Sequence, residues 1–312
     1  VTARPEPLSD ARTRTPPSVA LVVNTHSRAG AEAYRRVHAR LVARGMRMVA
    51  GHAVRDPERL GALIARLVDE GCDAVAVGGG DGTLRSAVGL FAGRDTVLGV
   101  IPVGTANSFA RALGVPLDAE AAADVIADGR IARVDVGRID ERYFAATAAI
   151  GVPSAVSADM PPRLKRWLGP ASYALVGAMK LLAARPFRCT VRWSGGETTY
   201  ATLDVLVANA PYQGGVAMAN PAQVDSGELV VRIIAGTSRW RLLRVWLSPR
   251  RADPPDLPYV KVLRGAAFEI TTQPSRRVNV DGELVARTPI RVSVAPGALR
   301  VFVPRDGTSG AV

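Results

Sequence analysis

The residues best suited to chemistry are six in a row, Gly78-Gly79-Gly80-Asp81-Gly82-Thr83: adjacent glycines, an acid and a hydroxyl. They follow an apolar run and open a stretch with helical spacing. Glycines there let a ligand approach the backbone, and the first N–H groups of a helix point into the same space with partial positive charge, which makes a phosphate cradle. The loop has neither the Lys of GxxxxGK[ST] nor the spacing of GxGxxG, so it is neither a Walker loop nor a dinucleotide fingerprint. Asp81 would repel a phosphate unless a divalent cation stood between them, and this predicts Mg²⁺ with a nucleotide. Asp281-Gly282-Glu283, taken alone, reads as a plain β-turn. His26, His38 and His52 lie far apart, and Cys72 and Cys189 are the two cysteines, so neither a zinc cluster nor a disulfide framework is available and a reducing compartment is expected.

The elements that must position the loop follow from patterning. Val19–Asn24 is a short apolar run bounded by Pro17 and by Ser27 and Gly30, hence a buried strand, and residues 31–44 continue at helical spacing. Asp56 and Pro57 start a second helix that carries Leu60, Leu63, Ile64, Leu67 and Val68 on one stripe and stops before Gly71. Asp73–Val77 and Val97–Ile101 read as further strands. Alternation of strand and helix predicts a doubly wound α/β unit with a parallel sheet over 19–133, with ligands gathering at the carboxyl ends of its strands. From Arg133 the chain turns to period-two alternation in short strands at 133–137, 143–150, 188–193, 201–208, 228–235, 266–272, 276–280, 289–294 and 299–303, interrupted by helical stretches near 164–184 and 238–247. This predicts a mainly β domain, a sandwich, over 134–305. Residues 1–18 are proline-rich without an apolar stretch and read as a flexible tail; 306–312 form a second tail.

The loop and its flanks resemble the diacylglycerol kinase catalytic domain, shared by bacterial lipid kinases and by sphingosine and ceramide kinases. The resemblance rests on GGGDGT, on Asn24-Thr25-His26-Ser27 after the first strand, and on Ile101-Pro102-Val103-Gly104-Thr105-Ala106-Asn107. It continues through Asp135-Val136-Gly137, Phe144–Gly151, Val207-Ala208-Asn209 leading to Pro221-Ala222, and Val280-Asp281-Gly282-Glu283, in the family's order over nearly all of 19–303. GGDGT alone is shared with NAD kinases, whose fold is related. The resemblance implies ATP-dependent phosphoryl transfer to a lipid hydroxyl, of diacylglycerol, ceramide, a sphingoid base or phosphatidylglycerol. It implies nucleotide binding by Asn24, by Gly79, Gly80, Asp81, Gly82 and Thr83, and by Thr105. Asp81 would act with the catalytic Mg²⁺ and Glu283 would be the general base.

Several positions depart from the family pattern. Leu84, Arg85 and Ser86 stand where a variable residue, Asn and Glu are usual. Ser108 replaces the acid of GTxND, and Ser226 replaces the second acid of DDG, which weakens the expected structural Mg²⁺ site because a hydroxyl is a poorer ligand for a hard cation. These substitutions keep open a catalytically altered nucleotide- or lipid-binding protein, and GGDGT keeps open an NAD kinase-like enzyme with a soluble acceptor.

The net charge of +12 comes from 40 basic against 28 acidic residues, the basic ones almost all Arg, and points to an anionic partner. Scattered charge without an aromatic stacking platform argues against nucleic acid. No run reaches the length of a membrane span. A cytoplasmic enzyme touching the membrane peripherally is therefore expected. The candidate contact is 238–251, where Ser238 caps a helix, Pro249 ends it, Trp240, Leu243, Trp246 and Leu247 form an apolar face, and Arg241, Arg244, Arg250 and Arg251 flank or follow it. Oligomeric state is not legible.

Overall fold

The computed structural model describes residues 17–26, 28–152, 154, 170–214, 216–217, 222–247 and 257–305. Most of the predicted N-terminal tail, the C-terminal tail, Ser27, Pro221, residues 164–169, Arg250 and Arg251 lie outside the described residues. The chain divides into two compact units, one made of residues up to Val136 with Gln223–Gly227 and the stretch from Ala295, the other of Gly137–Ala222 and Glu228–Val294.

The first unit alternates strand and helix: β1 Ser18–Asn24, α1 Arg28–Ala43, β2 Arg47–Val54, α2 Pro57–Asp69, β3 Ala74–Gly79, α3 Asp81–Phe91, β4 Val97–Pro102, α4 Ser108–Ala112, α5 Ala119–Asp128 and β5 Arg130–Ile139, whose last residues enter the second unit. The order is β2-β1-β3-β4, all parallel. β3 and β4 are buried throughout and β1 up to its last residue, Asn24, as expected of central strands covered on both faces. α1 packs with α5 and α2 with α3. Arg36, Arg40 and Arg44 of α1 meet Glu120, Asp124 and Asp128 of α5 one turn at a time. The signals read for α2 hold: Asp56 caps it by accepting from the Glu58 N–H at 3.0 Å, and Gly71 takes φ 77° beyond its end. β2 is absent from the sequence reading because its residues alternate between exposed and half-buried, the pattern of an edge strand with no fully covered face.

The second unit is mainly β: β6 Arg142–Phe144, β7 Thr147–Gly151, β8 Phe187–Trp193, β9 Gly196–Ala208, β10 Tyr212–Gln213, β11 Val216–Ala217, β12 Leu229–Ala235, β13 Val260–Gly265, β14 Ala267–Gln273, β15 Arg277–Val280, β16 Glu283–Arg287 and β17 Ile290–Val303, with helices Pro170–Ala183 and Arg239–Leu247. β14, β8, β9, β7, β15 and β16 are antiparallel neighbours in that order, and β12 lies on β9. Alternate residues such as Val191, Val205, Val231, Ile270 and Val292 meet in one apolar core.

Two strand readings need correction. The single predicted strand 143–150 is two, β6 and β7, separated by Ala145 and Ala146. The predicted strands 289–294 and 299–303 are one. Pro296-Gly297 looks like a turn, but Gly297 adopts φ 57° and sends its N–H to Asp135 at 2.8 Å, so the strand passes through and Val301 pairs with Leu98 in the first unit.

The apolar face read for residues 238–247 is also corrected. Leu242 and Val245 point inward with Leu243 and Trp246 beside them, while Trp240 is 79% exposed on the opposite side. Spacing alone had grouped Trp240 with Leu243 and could not say which arc of the helix would meet the strands. Among the described residues no helix is long and apolar enough to cross a membrane.

Candidate active site

In a sheet ordered β2-β1-β3-β4 the connections reverse direction between β1 and β3, and a crevice opens outside the carboxyl ends of strands at such a reversal. Asn24 ends β1 and Gly79 ends β3. The glycine-rich loop therefore stands where the topology makes room for a ligand.

Each loop residue has a definite task there. A Cβ on Gly78 would come within 2.8 Å of the Val23 side chain, and one on Gly79 would overlap Thr83. Gly80 is the N-cap residue of α3, and the turn closes by Thr83 and Leu84 N–H bonds to its carbonyl at 3.0 and 3.1 Å. The loop after β4 lies directly against it: a Cβ on Gly104 would stand 2.5 Å from Gly80 Cα. Gly82, by contrast, faces open space, with nothing within 4 Å of where a Cβ would be. The amino end of α3 is thus bared at Gly82 and hemmed in at Gly80, as an anion cradle requires.

Asp81 has more than the single duty read from sequence. Its Oδ1 accepts the Ser108 N–H at 2.6 Å, which fixes the start of α4 to the start of α3. Burial raises its carboxyl above the ordinary aspartate value, opposed by N–H groups of Ser108, Phe109 and Asn107 and by the Ser108 hydroxyl. Asn107 holds the second loop in shape. It sits in the left-handed region at φ 49°, accepts the Gly104 N–H at 3.0 Å and donates to the Gly104 carbonyl at 2.7 Å. Asn24 accepts the His26 N–H at 3.0 Å and donates to Thr83 Oγ1 at 3.1 Å, so its amide clamps the β1 turn to α3. Thr105 is exposed at the crown of the second loop. Arg85 lies half-buried in α3, and the Ser86 hydroxyl donates to the Thr83 carbonyl at 2.8 Å.

Glu283 belongs to the second unit, where it opens β16 and is exposed. Asp281 holds the turn before it. At φ 46°, Asp281 accepts N–H groups from Ala145, Ala146 and Thr147 at 2.7, 3.1 and 2.8 Å, and its own N–H goes to the Thr147 carbonyl at 2.9 Å. The Gly282 N–H donates to Asn279 Oδ1 at 3.0 Å. Sequence reading attached no role to Asp281 or Asn107. A non-glycine residue held at positive φ is the structural sign of both, and Asp-Gly was the one trace of it in the sequence.

At the Asp225-Ser226-Gly227 segment, the Ser226 hydroxyl donates to the Gln223 carbonyl at 3.0 Å and the Gly227 N–H to Asp135 at 2.6 Å. Among the described residues no group of three or more His, Cys, Asp or Glu side chains could hold a metal ion. Cys189 is buried in the β core, and burial pushes its thiol up to about 12, so it is inert.

Comparison with known proteins places this geometry. Residues 18–139 match the diacylglycerol kinase catalytic domain, and residues 146–303 match the YegS C-terminal NAD kinase beta sandwich-like domain. The chain belongs to the diacylglycerol kinase family. It is a kinase by that membership. A diacylglycerol kinase of Mycobacterium tuberculosis is 32% identical over 253 residues, 78% of this chain and 81% of that protein. The Cronobacter sakazakii protein named "Probable lipid kinase YegS-like" is 31% identical over 251 residues, 78% and 82% of the two chains. A crystal structure of a diacylglycerol kinase from Bacillus anthracis shares the fold with a TM-score of 0.76 at 21% identity, over 94% of this chain and 98% of the other.

Proposed function

We propose that this kinase transfers the terminal phosphoryl group of ATP to a hydroxyl of a membrane lipid. The observation that carries the reading is the apposition of Gly80 and Gly104 beside the bared start of α3 at Gly82, with a partly buried carboxylate, Asp81, at its edge. The donor set fits Mg-ATP. Backbone N–H groups of residues 80–82 would take phosphate oxygens, and Thr83, through its hydroxyl, and Thr105 would flank them. Asp81 would supply one carboxylate to a Mg²⁺ whose other ligands are phosphate and water, the usual way that ion is held. Mg²⁺ would neutralise the charge that develops on the transferred group. Glu283, on a turn that Asp281 keeps rigid, would take the proton of the lipid hydroxyl as general base.

Phosphoryl transfer from labelled ATP to mixed micelles of diacylglycerol, ceramide, sphingoid base and phosphatidylglycerol, with products separated by chromatography, tests the reading. One labelled phospholipid product is the expected result. Nucleotide binding without transfer to any of them would overturn it and favour the catalytically altered binding protein.

A further inference from the structure

Helices Pro170–Ala183 and Arg239–Leu247 of the second unit run side by side in opposite directions. A Cβ on Gly177 would sit 3.4 Å from the Trp246 ring, and the Arg239 guanidinium donates to the Ala184 carbonyl at 3.1 Å, so the end of one helix lies beside the start of the other. Both bury one face in a shared apolar cluster, with Val176 and Leu181 from the first and Leu242 and Val245 from the second. Their other faces carry the three most exposed large apolar side chains among the described residues: Met179 at 62%, Leu182 at 72% and Trp240 at 79%. Burying Leu242 and Val245 is what turns Trp240 outward.

The charge carried by the two helices has one sign. Neither helix contains an Asp or Glu. Arg185, Arg239, Arg244 and Arg276 rim the exposed face, and none meets a carboxylate among the described residues. The Arg276 guanidinium donates to the Arg185 carbonyl at 2.9 Å and lies 4.9 Å from the Phe187 ring centroid, so two guanidinium-bearing residues crowd the end of the first helix. Burial and the charge of Arg185 together lower the Arg276 pKa, the mark of a cation short of a counter-ion. A helix carboxyl end accounts for an attraction to one cation but not for a rim of four.

We infer that this two-helix face seats the kinase on an anionic phospholipid surface, with Trp240, Leu182 and Met179 entering the headgroup layer and the arginines meeting lipid phosphates. Indole and guanidinium are the side chains that favour that depth, and two helices that carry no acid of their own suit a negative bilayer. The inference deepens the lipid-kinase reading by naming the surface that faces the membrane. The test needs no turnover, so the two stand or fall separately.

Cosedimentation of the full chain with vesicles of phosphatidylcholine alone, and of phosphatidylcholine mixed with phosphatidylglycerol, decides it. Wild type should prefer the mixed vesicles and release them as salt rises. Arg185→Gln with Arg244→Gln should weaken binding to mixed vesicles about fivefold for each arginine, about twenty-fivefold together. Leu182→Ser with Trp240→Ser should weaken it as well. A measurement on the wild type guards against misfolded variants: indole emission should shift to the blue on adding mixed vesicles, and Trp240→Phe should abolish the shift. Unchanged binding in folded variants, or no shift assignable to Trp240, overturns the inference. So does sedimentation velocity showing a wild-type dimer that the Leu182/Trp240 variant converts to monomer without change in vesicle binding, since the face would then cover a second copy. Absence of transfer to every lipid, with vesicle binding intact, would count against the kinase reading alone.

Discussion

At the residue scale, Asp81 joins a structural and an electrostatic duty that substitution can separate. Asparagine keeps an oxygen for the Ser108 N–H but removes the charge, so Asp81→Asn should fold normally and lose transfer by two orders of magnitude or more. Alanine removes both, and should also destabilise by about 1–3 kcal/mol, the usual cost of an N–H stranded without its partner. The raised carboxyl pKa sets opposite responses to acid. The folded chain holds this proton at pH values where the unfolded chain has released it, so the residue favours folding at low pH and that contribution fades as pH rises through its folded value. Activity needs the ionised form, so Mg-ATP binding to the free enzyme should weaken in acid at a higher pH than an ordinary aspartate would dictate, while bound Mg²⁺ holds the carboxylate ionised. Thermal midpoints of wild type and Asp81→Asn measured against pH should converge in the direction that gives wild type its relative gain on acidification. For Glu283, removal of a general base costs about 10²- to 10⁴-fold. Glu283→Gln should lower kcat by that order and leave nucleotide affinity alone; a collapse of nucleotide affinity would make Glu283 a ligand instead.

At the element scale, the glycines of α3 and of the loop after β4 make opposite forecasts. Gly82 lies in a helical first turn with free space around it, so Gly82→Ala should raise stability by about 0.4–1 kcal/mol through the unfolded chain's entropy while lowering ATP affinity, because the methyl would take the room left for phosphate. Gly104→Ala pushes against Gly80 backbone and should lower both, by about 1–3 kcal/mol in stability. Chemical melts with and without Mg-ATP read both effects; an alanine at 82 that leaves affinity intact would move the nucleotide away from α3. What was legible here and what was not divides along the same line. Glycine, acid and hydroxyl in one run declare a loop, and Asp56-Pro57 declares a helix start, because the physics is local. The Ser108 N–H that donates to Asp81 and the grip of Asp281 on residues 145–147 arise from partners far along the chain, and no spacing announces them; the left-handed Asn107 is held by Gly104 close by, but nothing in its residue type declares that φ. β2 lacked an apolar face to be read, and Pro296-Gly297 imitated a turn inside β17. Trp240 went to the wrong face since periodicity fixes which residues share an arc and not which arc is covered.

At the scale of the whole molecule, the consequence follows from how the first unit is assembled out of three stretches of chain. Residues up to Val136 supply five strands and all the helices around them, yet the unit also takes Gln223–Gly227 and the stretch from Ala295. Those late arrivals are bonded into it. Asp135, nearly buried, spends both carboxylate oxygens on the N–H groups of Gly227 and Gly297, its own N–H goes to the Val224 carbonyl at 2.6 Å, and the Gly93 N–H to the Ala298 carbonyl at 2.7 Å. Beside β4, Val301 of β17 pairs with Leu98. A chain cut after Val136 would keep the nucleotide loop in full but leave a buried carboxylate without its donors and the β4 edge without its neighbour. Both defects cost more than a small α/β unit can spare from the 5–15 kcal/mol typical of a domain. Residues 17–136 alone should therefore show no cooperative urea transition and poor amide dispersion, whereas in the full chain the first unit should unfold cooperatively. A fragment 17–136 that melted cooperatively and bound Mg-ATP would show that the returning strands are ornament to the nucleotide unit rather than part of its core.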